Sequence, residues 1–160
     1  MVNTQSEKQS IENVFYFVIA ESDIFSITKE DVKKITDRFN TDNIENIYNL
    51  AKLFVIIYCV CEYYNISYDN LCSSSRKSIL PLARRMYSYL CRTKFLKNES
   101  LAKIGEFINI DHSSVSTNIL KIQTAIEDKS EDWCDYLNIL DNIKELLVKY
   151  NISNANTMRQ

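Results

Sequence analysis

One glycine, Gly105, and one proline, Pro81, are all that a chain of 160 residues carries of the two residues that most readily reverse a backbone. Average usage would be about 7% glycine and about 5% proline. A many-stranded sheet needs a turn signal every ten or so residues, and this chain does not supply them. Helices joined by short polar loops remain. The length suits one domain with a substantial core. The fold class is therefore all-α: a compact helical bundle, with additional N-terminal helices.

Apolar spacing places the elements. Ile11, Val14, Phe15, Val18 and Ile19 recur at helical intervals and predict a helix over about 9–22. Thr28 is an N-cap for a second helix carrying Val32, Ile35 and Phe39 and closed by Asn40. Asp42 caps a third helix to about Tyr64, with Ile44, Ile47, Leu50, Leu53, Phe54, Ile57, Tyr58 and Cys61 inward. Its second half is apolar nearly all round, which requires central burial or a partner surface. Ser67 caps a short turn over Tyr68 to Leu71, and Cys72 to Lys77 is a serine-rich basic loop. Pro81 opens a helix to about Phe95, where its missing N–H costs nothing. Leu82, Met86, Tyr89 and Leu90 form the apolar face of that helix, which leaves Arg84, Arg85 and Arg92 for the opposite one. Asn98 or Ser100 starts the next helix, Asp111 caps another to about Ile126, and Ser130 opens a last one through Trp133, Leu137, Leu140, Ile143, Leu147 and Tyr150. The tail over 151–160 is polar and expected to be disordered.

Several classes are excluded. The longest apolar run, Leu53 to Cys61, falls well short of the ~20 residues that cross a bilayer, and the polar start over Met1 to Ser10 does not read as a signal peptide. A cytoplasmic protein without a membrane partner is expected. Cys59, Cys61, Cys72, Cys91 and Cys134 make no CxxC and are odd in number, so neither a disulfide framework nor a metal site is expected. They read as reduced and mostly buried. His112 is the single histidine, and its neighbours Asp111, Ser113 and Ser114 at a helix start do not converge on one substrate atom. The chain is read as no enzyme, with no catalytic residue and no cofactor.

Charge is distributed unevenly. The net charge is −2, yet residues 73–126 hold nine basic and three acidic side chains, a local balance of +6 between acidic flanks. Between Cys72 and Asn98 there is no acidic residue. A polyanion site needs only a locally positive field.

Within that segment, the run from Leu101 to Ile122 fills each slot of a helix-turn-helix. Gly105 is the small residue where two helices cross, Asn109 tolerates a left-handed turn, Ile110 plugs the core and Asp111 caps. Val115, Ile119 and Ile122 face inward. His112, Ser113, Ser114 and Thr117 are left outward at the helix start, as short polar groups able to reach base edges and phosphates. The residues alone leave two readings open: a reader of double-stranded DNA, or a helical adaptor that docks proteins without touching DNA.

The segments Cys61-Glu-Tyr-Tyr-Asn-Ile-Ser-Tyr-Asp-Asn-Leu71, the Arg76-Lys77 loop, Ala83-Arg-Arg-Met86, Ser100-Leu-Ala-Lys-Ile-Gly-Glu-Phe107 and Asp111-His-Ser-Ser-Val115 resemble the C-terminal duplex-DNA-binding domain of the bacterial replication initiator DnaA. The likeness covers about 60–126, and Ile-Gly followed by Asp-His-(Thr/Ser)-(Thr/Ser)-Val is its most specific part. It implies that Asp111, His112, Ser113 and Ser114 sit at the major groove. It implies further that Arg76, then Lys77, reaches an AT-rich minor groove and that Arg84 grips phosphate. Arg85, Thr117 and Lys121 complete the expected DNA-binding set. The family's Gly-Gly-Arg before the aspartate is here Asn109-Ile110, shorter by one residue and without the arginine, so the recognition sequence does not carry over directly. No GxxxxGK[ST] run occurs, so no nucleotide-driven activity is expected.

The expected division is an N-terminal helical region over 1–55 for dimerisation or a protein partner, the DNA-binding domain over 56–127, a packing helix over 128–150 and the tail. Regulation of replication or of transcription both fit this reading.

Overall fold

The computed structural model describes residues 44–150 together with Gln9, Asp37 and Ile152. The helices expected over 9–22 and 28–40, the inward side chains of Ile44 and Ile47, and the tail beyond Ile152 lie outside the described residues. Those described are helical throughout, with short connections and no strand.

Helix α1 (Ile44–Tyr64) is the central rod. From Leu50 to Cys61 every side chain except Tyr58 is buried, which is the central burial that an apolar circumference demands. The boundary expected at 55/56 falls inside this helix, and Leu50, Ala51, Leu53 and Phe54 belong to the same buried cluster as the segments that follow. Asn65, in the left-handed region at φ 56°, ends α1. The Ser67 hydroxyl then accepts from the Asn70 N–H at 3.1 Å and starts α2 (Tyr68–Cys72).

Helix α3 (Leu80–Leu90) carries Pro81 in its first turn and buries Ala83, Met86, Tyr87 and Leu90. It does not stop there. It continues as a π turn over Cys91–Phe95, closed by the Leu96 N–H to the Cys91 carbonyl at 2.7 Å. Arg92 leaves this turn to donate to the carbonyls of Lys97 (3.0 Å) and Glu99 (2.7 Å), tying down the loop that leads into the next helix.

Helices α4 (Leu101–Glu106) and α5 (His112–Glu127) follow, and α5 packs along α3 and across α4. Helix α6 (Glu131–Lys149) returns over α1 with Tyr136, Ile139, Leu140 and Ile143 buried. Both Tyr63 and Tyr64 donate to the Asp135 carboxylate, at 2.7 Å and 3.3 Å, fixing the end of α1 against α6. Leu137, expected on the apolar face, is instead exposed. Tyr136 takes the inward position one residue earlier, its ring edge-on to Tyr89 at 5.5 Å. The Ser130 hydroxyl turns back to the Ala125 carbonyl (3.2 Å) and joins α5 to α6.

Cys59, Cys61 and Cys91 are buried free thiols, pushed up from their ordinary pKa by burial. Cys72 is half-buried and Cys134 exposed.

Candidate nucleic-acid interface

The α4–turn–α5 unit is built from side chains of few kinds. Ser100 caps α4 by accepting from the Lys103 N–H at 3.1 Å. A helix of six residues has few carbonyls with partners of its own, so its exit must be satisfied from outside. The buried Tyr87 hydroxyl donates to the Ile104 carbonyl at 2.8 Å. The Tyr68 hydroxyl donates to the Phe107 carbonyl, which also takes the Cys72 thiol at 3.6 Å. The Gly105 carbonyl accepts from Ile108 (3.1 Å) and Ile110 (3.0 Å), and Asn109 turns the chain at φ 61°.

Gly105 is required here by close approach. A Cβ on it would stand 2.3 Å from the Ile110 carbonyl oxygen and 3.0 Å from Val115 Cγ2. Phe107 and Ile108 are fully buried, and Ile110, half-buried, packs against the same core, its N–H turned back to the Gly105 carbonyl. On α5, Val115 and Ile122 are buried and Ile119 half-buried.

Asp111 caps α5. Its Oδ1 accepts from the Ser114 N–H at 2.7 Å and from the Ser113 hydroxyl at 2.9 Å, and these bonds hold its carboxyl below the ordinary range. Thr117 donates to the Ser113 carbonyl at 3.0 Å. His112, Ser113, Ser114 and Thr117 are all exposed.

Facing this helix start is the loop from Ser73 to Ser78, and the arginine expected on the solvent face of α3 determines its shape. Arg84 is only 8% exposed. Its Nε donates to the Leu71 carbonyl (2.9 Å), one terminal nitrogen to Ser75 (2.6 Å), and the other to Asn70 (3.1 Å), Ser73 O (2.6 Å) and Ser73 Oγ (3.3 Å). The Asn70 carbonyl also takes the Ser73 N–H at 3.2 Å, but those of Leu71, Ser73 and Ser75 take no backbone donor among the described residues, and a planar fork of N–H groups satisfies them at once. Placing Arg84 on an open face is thus corrected: its guanidinium is an internal staple.

Between the loop, the start of α3, the turn and α5 lies one open cleft of about 660 Å³. It brings together Arg76, Arg84, Arg85, Asp111, Ser113, Ser114, Thr117 and Lys121. Its ionisable lining is four basic groups against one acidic, a surplus of +3. Lys77 and His112 are exposed but stand off its wall. Asn118 lines it too and was not anticipated; its amide lies 3.4 Å from Ser88 Oγ. The signal was present as spacing, since Ser114, Asn118 and Lys121 recur at i, i+4 and i+7 on one face.

A capped second helix presenting short polar groups beside a basic loop defines a helix-turn-helix of the DNA-binding class. Residues 55–122 match the family described as the bacterial dnaA protein helix-turn-helix. Over 79 residues the chain is 37% identical to the chromosomal replication initiator protein DnaA 1 of Chlamydia pneumoniae, covering 48% of this chain and 16% of that protein. Over 154 residues it is 27% identical to the chromosomal replication initiator protein DnaA of Bacteroides fragilis, covering 96% of this chain and 31% of that one. The chain spans less than a third of the length of these curated relatives. No solved structure matches it. Among the described residues no helix is long and apolar enough to cross a membrane.

Proposed function

We propose that this chain binds duplex DNA in a sequence-dependent manner through α4, the turn and α5, as a non-catalytic regulator acting on DNA in the cytoplasm. The observation that carries the reading is the shared cleft: the basic loop and the first turns of α5 line the same opening. In this reading Asp111, His112, Ser113, Ser114 and Thr117 meet the major groove, Arg76 and then Lys77 follow into the adjacent minor groove, and Arg85 and Lys121 hold phosphate. The staple made by Arg84 fixes the loop instead of leaving the guanidinium free for phosphate. The names of the relatives, chromosomal replication initiators, favour replication over transcription as the process served. The N-terminal region over 1–55 supplies dimerisation or a protein partner, because a small reader gains affinity from a second half-site.

The test is a fluorescence-anisotropy titration of labelled duplexes, random and AT-rich of the DnaA-box kind, over a salt series. Binding that discriminates sequence, with log K falling against log salt at a slope near −5 for about six phosphate contacts, and that is lost in Arg76→Ala/His112→Ala, is the expected result. A folded protein that binds no duplex at low salt overturns the reading.

A further inference from the structure

A second opening lies on the described structure away from the helix-turn-helix, between the first half of α1, the segment 94–98 and the C-terminal half of α6. It encloses about 530 Å³, within the range of roughly 300–1,000 Å³ typical of small-molecule sites. Its chemistry is divided. Phe95, Leu147 and Ile152 give it an apolar wall, while among the described residues Lys52, Lys94, Lys97 and Lys144 oppose one acidic side chain, Glu45, for a surplus of +3.

Lys52 is the unusual member. It sits on the central helix only 9% exposed, and among the described residues no hydrogen bond or ion pair engages its ammonium. Glu45 attracts its charge, and burial outweighs that attraction and lowers its pKa. Lysines are almost never buried this far unless paired. An isolated buried cation is costly, and hydrophobic packing of α1 would be served better by methionine or leucine at this position. Among the described residues, four lysines line this opening beside an apolar wall with one acidic side chain against them.

We propose that this cleft binds a small organic anion, a carboxylate or phosphate head joined to an apolar body, with the head on Lys52 and the rim lysines Lys94 and Lys144 and the body against Phe95 and Leu147. The site is independent of the DNA cleft and of the function proposed above.

The probe is anilinonaphthalene sulfonate, an anion with an aromatic body whose fluorescence rises on apolar contact, titrated into the full chain. Saturable one-to-one binding is expected, displaced by octanoate or by octyl phosphate and not by octanol; the better displacer identifies the head group. Lys52→Met should weaken binding at least tenfold while near-ultraviolet circular dichroism is retained and the melting midpoint stays level or rises. Were Lys52→Met not to fold, Lys94→Gln/Lys144→Gln on the rim should weaken binding at least threefold. Absence of saturable binding, displacement by octanol as strong as by the acids, or unchanged affinity in the variant that folds overturns the proposal. Displacement of the probe by duplex DNA also overturns it, since the cleft would then be part of the DNA footprint.

Discussion

The Arg84 guanidinium donates to the Ser75 carbonyl at 2.6 Å, one residue before Arg76, so a buried side chain of α3 sets the path of the basic loop. Replacing Arg84 with methionine keeps most of the volume and removes every donor, leaving the carbonyls of Leu71, Ser73 and Ser75 without it. Charge-assisted bonds of this kind contribute about 1.5–3 kcal/mol, and at about 2–4 °C per kcal/mol for a chain of this size the melting midpoint should fall by roughly 5–10 °C. Arg84→Lys should restore little, because one ammonium cannot span a fork of carbonyls. A lysine variant that melts and binds DNA like the wild type would sink this account.

Gly105→Ala places a methyl group into backbone, and no side chain can move to admit it. Overpacking of this sort costs about 1–3 kcal/mol, to be read as a lower denaturant midpoint at constant slope. DNA binding should weaken in step, since the crossing of α4 and α5 must open. An alanine variant as stable as the wild type would show that the turn yields freely.

The pH response follows from Asp111. Its folded-state pKa is depressed by the Ser114 N–H and the Ser113 hydroxyl, so its contribution to stability is present above the unfolded value, about 3.9, and is lost as pH falls through the lower folded value. Thermal melts taken downward from pH 5 should show the wild type losing ground faster than Asp111→Asn, which keeps a cap acceptor without a titrating group. Parallel curves would remove the cap from the acid response.

Arg76→Ala should lower the steepness of the salt dependence of duplex binding by about one unit in the log–log slope without changing the melting midpoint, because Arg76 is exposed and the Arg84 staple holds backbone atoms of its neighbours. Loss of affinity with an unaltered slope would mean that Arg76 displaces no counterion, against its place in the negative potential of a narrow minor groove.

The caps and the turn were legible in the sequence. Ser67 and Asp111 cap as expected, and of the two starts open for α4 the structure takes Ser100, because a short oxygen-bearing side chain before an apolar period has one economical use; Asn109 takes the left-handed conformation that few other residues tolerate. The exceptions share a cause. Whether Arg84 points to solvent or folds beneath a loop depends on carbonyls contributed by residues 9 to 14 positions away, which no helical period encodes. Leu137 and Tyr136 exchange the inward place because the ring of Tyr136 finds Tyr89 across a tertiary contact. Asn118 is a miss of another kind, since its helical spacing from Ser114 and Lys121 already put it on their face.

The π turn at Cys91–Phe95 inserts one residue into the winding of the helix that carries Arg84 and Tyr87. One residue is about 100° of rotation, so everything downstream departs as if the axle had been turned by more than a quarter before the next gear was mounted. Removing a single residue from that turn would leave both helices of the DNA reader intact as helices and aim them at the wrong bearing.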